Sequence, residues 1–346
     1  MSRRNTPFIV NCRFLTQPVS GVQRFAIEIC RELKKLDDQF IFVAPKNILH
    51  SDIFRELKAI VIGRFQGHLW EQVDLKRYVD KHNGLLVSLG NTGPLFVKKQ
   101  VVTIHDLGFR HHPEWFSFGF RKVYNFLIPK IVKKALHVFT VSETSKKELE
   151  DILGAEKTKI SVIYNAATPF FEDLNCINKH EDEKYILTVS SHVPRKNFKR
   201  LINSFSKISN KKIKLIIVGN YSSIYAKEDL TENNRVIFEQ NIGDQELATY
   251  YKNATLFVYP SLYEGFGIPI IEAASYGTSI CVSDIPVFQE ICGQQAIYFD
   301  PLDEIDMTNK IQESLKNPIV PNSSFFQKKY SWEKSALKMF SILKEI

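Results

Sequence analysis

Two glutamates and a glycine loop carry the strongest chemical signal in this chain. In YPSLYEGFGIPIIEAASYG (259–277) an apolar run ends in a loop that holds Gly265 and Gly267. Pro269 suits the first helical position after that loop, and Gly277 suits the helix end. A helix entered this way presents unpaired N–H groups and the positive end of its dipole. Glycine lets the backbone come close to a ligand, so the geometry suits phosphate. Glu264 stands before the loop and Glu272 one turn into the helix. Carboxylates so placed can accept hydrogen bonds from sugar hydroxyls on either side of a diphosphate. The plainer reading makes Glu272 a complement to the helix dipole and Glu264 an ordinary loop acid.

Five further segments place chemically capable residues just after apolar runs. TVSSHVPRKNFKRLI carries Arg195, Lys196, Lys199 and Arg200. Alone it reads as a basic loop on a solvated helix start. VVTIHDLGF puts His105 and Asp106 at a strand end, either as a general-base dyad or as a loop histidine bonded to a carbonyl. Gly21, in PVSGVQRFAIEICREL, opens a helix whose apolar stripe is Val22, Phe25, Ile29 and Leu33; an ordinary βα turn explains it equally well. SLGNTGP puts Asn91 after another apolar run, and VSETS offers Ser142, which also suits a helix N-cap.

The elements that must position these residues are legible as a rhythm. Eleven short apolar runs (8–14, 40–45, 85–90, 101–107, 137–142, 160–165, 185–190, 214–219, 235–240, 256–261 and 279–284) alternate with helix-length amphipathic segments. Continuous apolar strands separated by helices imply parallel sheets buried on both faces. The stretch TPFFEDLNCINKHEDEK has no clear period and divides the runs into two sets of five or six. The expectation is therefore two Rossmann-like doubly wound domains, 1–170 and 185–325, joined by a linker at 171–184 and facing a cleft. In such sheets ligands bind beyond the carboxyl ends of the strands. Residues 326–346 read as an amphipathic helix with Trp332, Leu337, Phe340, Ile342 and Leu343 on its apolar stripe, packing locally or returning to the first domain.

Composition narrows the classes. The chain has 346 residues, is 44% hydrophobic and 24% charged, and holds no apolar run near 18 residues, so disorder and a membrane-spanning helix are excluded. The basic opening MSRR resembles a secretory leader, but Asn11 and Arg13 cut its apolar stretch and no small-residue cleavage pattern follows. The expected location is cytoplasmic. Five scattered cysteines without a CxxC suggest neither a disulfide framework nor a zinc site. Residues 1–175 hold 26 Lys and Arg against 18 Asp and Glu, whereas the remainder is balanced at 20 and 20. A basic first half can attract an anionic membrane or be simply well solvated; no zinc-finger or RRM pattern supports nucleic acid. Residues 115–136 combine Trp115, four Phe and Arg121, Lys122, Lys130, Lys133 and Lys134. Such a helix can lie on an anionic bilayer or can cover the sheet with a basic face outward, and Pro129 breaks its period.

EGFGIPIIEA closely resembles the signature of the retaining GT-B glycosyltransferases of family 4, the glycosyl transferases group 1. The resemblance implies that Glu264 lies near the transferred sugar, that Glu272 binds the ribose hydroxyls, and that backbone amides of Gly265, Phe266 and Gly267 line the sugar and diphosphate. By the same resemblance Arg195 and Lys196 clamp the diphosphate, His105 supports the transferred sugar, and Gly21 and Ser142 lie by the donor. Asn91 and Asp106 fall on the acceptor side, and Tyr164–Asn165 matches the residues just before the linker. Many members carry an additional Arg where this chain has Ser191; the variant with the Arg195–Lys196 pair is similar to mannosyl- and rhamnosyl-transferring members. The implied donor is a nucleotide diphosphate hexose, with GDP-mannose the leading choice. The implied acceptor is a saccharide or lipid-linked saccharide of surface polysaccharide or lipopolysaccharide synthesis. No DxD occurs, which fits departure of the leaving group without a metal or other cofactor.

Two rivals from other classes stay open. A nicotinamide-dependent oxidoreductase uses similar folds but requires GxGxxG after the first strand, where this chain reads VSGVQRF. A non-catalytic nucleotide-sugar-binding protein has no motif that tells it apart.

Overall fold

Seven parallel strands form the first sheet: β1 (Phe8–Asn11), β2 (Phe40–Ala44), β3 (Ile60–Val61), β4 (Leu85–Ser88), β5 (Gln100–Thr103), β6 (His137–Thr140) and β7 (Ile160–Val162). In this computed structural model they lie in the order β3-β2-β1-β4-β5-β6-β7. Six more, β8 (Tyr185–Val189), β9 (Lys214–Val218), β10 (Val236–Glu239), β11 (Leu256–Tyr259), β12 (Ile280–Ser283) and β13 (Ile297–Phe299), form a second parallel sheet in the order β10-β9-β8-β11-β12-β13. The structure describes residues 6–167, 180, 183–220 and 233–346. The linker expected at 171–184 lies outside the described residues except for His180, Glu183 and Lys184.

The two sheets belong to separate units. One contains the chain up to Asn165 together with Trp332–Ile346, and the other runs from Ala166 to Ser331. Both sheets have the doubly wound order, which reverses direction between β1 and β4 in the first and between β8 and β11 in the second. Loops leaving the carboxyl ends of those neighbouring strands diverge and open a crevice, the usual ligand position in such sheets. Central strands are buried throughout, as their unbroken apolar runs require. The helix Phe198–Ser206 buries Phe198, Leu201, Ile202 and Phe205 against the second sheet. Helix Phe118–Lys134 buries Leu127, Ile128, Ile131 and Val132 against the first.

Two strands exceed the sequence expectation. β3 is a two-residue edge strand with both side chains exposed, and β13 has only three residues, so neither leaves a readable period. Pro129 lies inside the Phe118–Lys134 helix without ending it. The C-terminal segment is two helices, Ser323–Lys329 and Trp332–Glu345, and only the second joins the first unit. Its buried stripe is Trp332, Ala336, Met339 and Leu343, whereas Leu337 is 45% exposed. Trp332 meets the Phe25 ring at 6.1 Å, Phe340 packs against Phe8 and Phe40, and the Ser335 hydroxyl donates to the Tyr164 carbonyl at 2.7 Å. Among the described residues no helix is long and apolar enough to cross a membrane.

Candidate active site

At the reversal point of the second sheet, the loop after β8 and the loop after β11 are tied together. Leu262 N donates to the Arg195 carbonyl at 2.8 Å, and Arg195 Nη1 donates to the Tyr263 carbonyl at 3.3 Å. Pro194–Lys196 forms a single tight turn, and Asn197, in the left-handed region at φ +58°, starts the following helix. Gly219 packs its Cα so closely on the Ser190 carbonyl that a Cβ would lie 1.9 Å from that oxygen, at φ +153°. This close approach sets where the Arg195 loop departs from the sheet.

The side chains of these loops converge on one carboxylate. Glu264 Oε2 pairs with Arg195 Nη1 at 2.6 Å, and Oε1 pairs with Lys196 Nζ at 2.5 Å. Lys196 Nζ also donates to Tyr259 Oη at 2.6 Å. Burial alone pushes the Glu264 carboxyl up, but the charges and hydrogen bonds of Arg195 and Lys196 outweigh it and hold the group at about 2. Burial, aided by the Glu264 charge, pushes the Tyr259 hydroxyl well above its ordinary range, so it stays neutral beside the ammonium. Lys196 is buried, whereas the Arg195 side chain is 32% exposed and reaches solvent. Among the described residues, two cations here meet one acid. Helix Ile268–Ser275 begins three residues beyond the Glu264–Gly265 bond, from Gly267 at φ +129°. Cation and helix N-terminus together suit an anion with several oxygens.

Glu272 is buried on that helix and accepts a hydrogen bond from Tyr251 Oη at 2.8 Å. Burial and the Glu272 charge raise the Tyr251 hydroxyl well above its usual range. Gly265, Phe266 and Gly267 are buried in the loop, with the Phe266 ring edge-on to Tyr330 at 5.5 Å. Pro269 is the second helical residue, and Gly277 takes φ +75° just after the end.

The first-unit candidates lie at or beyond the carboxyl ends of their strands. Gly21 is exposed and is the first residue of helix Gly21–Leu36, where Gln23 Oε1 accepts from the Ser20 amide and hydroxyl. His105 is buried, its Nε2 lies 2.9 Å from the Leu89 carbonyl, and its backbone N–H donates to Asn91 Oδ1 at 2.7 Å. Burial pushes the imidazole below its ordinary range, despite the Leu89 carbonyl and nearby Asp106. Of the two readings open for His105 and Asp106, the geometry matches the carbonyl-bonded histidine, because Asp106 Oδ1 instead accepts from the Gly108 N–H at 2.9 Å. Asn91, at φ +60°, is therefore spent on holding His105. Ser142 is fully buried and caps helix Glu143–Leu153 by accepting from the Ser145 N–H. Asn165 is buried at the end of the first unit.

Sequence reasoning passed over Tyr259 and Tyr251, which hold Lys196 and Glu272, and also a buried polar network at the reversal point of the first sheet. There Glu71, 1% exposed, accepts from Asn11 Nδ2 at 2.8 Å and Thr92 Oγ1 at 3.1 Å, and pairs with Arg13 Nε at 3.0 Å. One signal was available: Asn11 and Arg13 interrupt an otherwise apolar strand run.

Known families and structures match this architecture. The family described as Glycosyltransferase Family 4 matches residues 19–169, and that described as Glycosyl transferases group 1 matches residues 170–332. The chain is 32% identical to the O-antigen chain mannosyltransferase RfbU of Salmonella typhimurium, over 89% of this chain and 90% of that protein. It is 25% identical to O-antigen chain mannosyltransferase B of Escherichia coli, over 91% and 93%. Among solved structures, the sucrose-phosphate synthase of Thermosynechococcus elongatus superposes with a TM-score of 0.77 at 18% identity, covering 98% of each chain. Anabaena HepE in complex with UDP and glucose superposes at 0.76 and 17% identity, covering 99% of this chain and all of that one. Both share the two-domain GT-B fold.

Proposed function

This chain belongs to glycosyltransferase family 4, the glycosyl transferases group 1, and is a glycosyltransferase of GT-B fold; from that premise we propose that it transfers mannose from GDP-mannose, with retention of anomeric configuration. The acceptor is a saccharide or lipid-linked saccharide of an O-antigen or related surface polysaccharide. The mannosyltransferases of Salmonella typhimurium and Escherichia coli support the donor sugar and the acceptor class.

The observation that carries the reading is the convergence of Arg195, Lys196 and Glu264 at the reversal point of the second sheet. In the proposed reaction the donor diphosphate takes up the positive charge of Arg195 and Lys196 and the N–H groups of Gly265–Gly267. Negative charge that grows on the leaving group is then met by fixed cations, so no metal is required. Glu264, kept ionised by both cations, faces the transferred hexose, and Glu272 accepts from the ribose hydroxyls. His105, neutral and locked onto Leu89, supports the hexose and is not the base. The acceptor hydroxyl is deprotonated by the departing diphosphate on the same face of the sugar. Gly21 and Ser142 belong to the donor side of this scheme, Asp106 to the acceptor side.

The test is release of nucleoside diphosphate by the purified chain from a panel of nucleotide sugars, paired with thermal shift, since a bound donor raises the melting temperature. GDP-mannose should give the largest shift and turnover, and the product linkage read by NMR should keep the donor's configuration. Preference for a UDP-sugar overturns the donor assignment, and an inverted product overturns retention.

We infer further that the first unit docks peripherally on an anionic bilayer at the cytoplasmic face. Phe118 and Phe126 are 63% and 57% exposed on helix Phe118–Lys134, and Phe96 is 67% exposed. Lys122 lies over the Phe118 ring, Lys130 over Phe126 and Lys134 over Phe96. A groove of about 480 Å³ runs between Pro113, Phe118, Arg121, Lys122, Asn125 and Phe126. Aromatic edges flanked by lysines match the boundary between headgroups and acyl chains. Sedimentation with phosphatidylglycerol vesicles should decline steeply with salt; no binding, or salt-insensitive binding, refutes it.

A further inference from the structure

The Glu71 network of the first unit has a feature that structural packing does not require. A carboxylate taken fully out of water costs several kcal/mol before its partners compensate, and apolar residues of similar volume usually stabilise a core as well. Here the carboxylate is seated by a wide helical turn, Glu71–Leu75, inserted between helices Gly67–Trp70 and Lys76–His82. Such turns recur at functional sites because they re-aim a side chain. Trp70, fully buried and bonded through Nε1 to the Ile62 carbonyl at 2.8 Å, pins the helix and aims the next residue at the strand ends. Glu71 thereby reaches Asn11, the last residue of β1, and Thr92, four residues beyond β4. Burial pushes its carboxyl up, but the His68 hydrogen bond, the Arg13 and His68 charges and the Asn11 bond outweigh it and hold Glu71 below its usual range.

One member of the network faces outward. His68 Nδ1 lies 3.0 Å from Glu71 Oε2, and its side chain is 39% exposed, against 11% for Arg13. With a carboxylate at Nδ1, the neutral ring keeps its proton there and presents Nε2 as an acceptor, whereas the protonated ring, whose charge bears on Glu71, presents an Nε2–H donor; a hydroxyl can pair with either. Among the described residues Nε2 has no hydrogen-bond partner. The ring is also braced edge-on by Tyr124 at 6.1 Å. Burial raises the Tyr124 hydroxyl above its ordinary range, and the charges of Arg13, Glu71 and Asp106 also bear on it.

We propose that His68 is an acceptor-binding residue whose Nε2 takes a hydroxyl of the incoming saccharide, and that Glu71 is the positioning residue that sets its tautomer and orientation. The inference rests on the glycosyl-transfer reading and names a residue for its acceptor side. A polar contact to an uncharged hydroxyl that no other group replaces is the arrangement that lets a site select among acceptors.

The test uses the full chain, GDP-mannose, and lipid-linked saccharide extracted from the source organism. His68→Ala and His68→Asn, neither of which retains a polar atom at the Nε2 position, should raise the acceptor KM about five- to tenfold. His68→Gln, whose terminal amide reaches that position, should stay within about twofold of the wild type. Donor KM and the slow hydrolysis of donor by water should not change in any of them. Glu71→Gln should raise the acceptor KM in the same direction; because it also loosens a buried network, it is read below its own melting temperature. Unchanged acceptor KM in His68→Ala and His68→Asn overturns the inference, as does an equal rise in donor KM. A wild type that binds no nucleotide sugar overturns the functional reading beneath it, and this inference with it.

Discussion

Replacing Lys196 by Met removes one of the two cations on Glu264 while keeping the length of the side chain, and it should separate the structural from the catalytic role of the triad. Glu264 is mostly buried and held at about 2 against an ordinary 4.5. A depression of that size corresponds to roughly 3 kcal/mol of stability at neutral pH. It is fully present above about pH 4.5 and is lost as pH falls through 2. Arg195 and Lys196 share it, so Lys196→Met should cost about 2 kcal/mol, a Tm fall of about 4–8 °C for a unit of this size. Because the variant's Glu264 is less depressed, its Tm deficit should narrow as pH falls from 4.5 toward 2. Turnover should suffer more, because the departing diphosphate loses a fixed charge; a decrease in kcat on the order of 10²–10³-fold is expected. The assay pairs calorimetry between pH 7 and 2.5 with steady-state release of nucleoside diphosphate. A variant within threefold of wild-type kcat, or a Tm deficit that stays flat with pH, refutes the reasoning.

Three other outcomes follow from the same geometry. Gly219→Ala must displace the Ser190 carbonyl and strain a φ of +153°, so donor KM should rise severalfold, with Tm lowered; titration calorimetry with the donor checks it. Tyr251→Phe removes the hydroxyl on Glu272 and should weaken binding of free nucleoside diphosphate about three- to tenfold, measured by fluorescence titration. His105, neutral because burial depresses it, contributes stability that is present above pH 6.5 and lost as pH falls below it; His105→Gln should flatten the fall in Tm between pH 6.5 and 5, and NMR should find no imidazolium signal from His105 at pH 6.5.

The second-unit site was legible because its parts are close in the chain. Glu264 and Glu272 are eight residues apart, and the Gly and Pro between them encode a loop feeding a helix. Local spacing carries that information, since backbone conformation is set by near neighbours. The alternation of apolar runs likewise announced parallel sheets, because strands buried on both faces admit no polar period. What escaped was short or exposed, such as β3 and β13, or was overruled by packing, such as Pro129 in mid-helix. The expected single C-terminal helix failed for a related reason: Trp332 finds Phe25 in the first unit, while Phe326 is buried in the second.

By itself the sequence determined two doubly wound sheets, the glycine loop with its flanking acids, and the basic pair at the end of an apolar run. These follow from periodicity and punctuation along a continuous chain. Only the tertiary structure decided that Arg195 and Lys196 close on Glu264 across 69 and 68 residues, that Tyr259 and Tyr251 hold the cation and the second acid, and that Glu71 joins Asn11 across 60 residues to hold His68 outward. Which polar groups become neighbours is set by where parallel strands end side by side, and that order of strands has no local trace in the residues themselves.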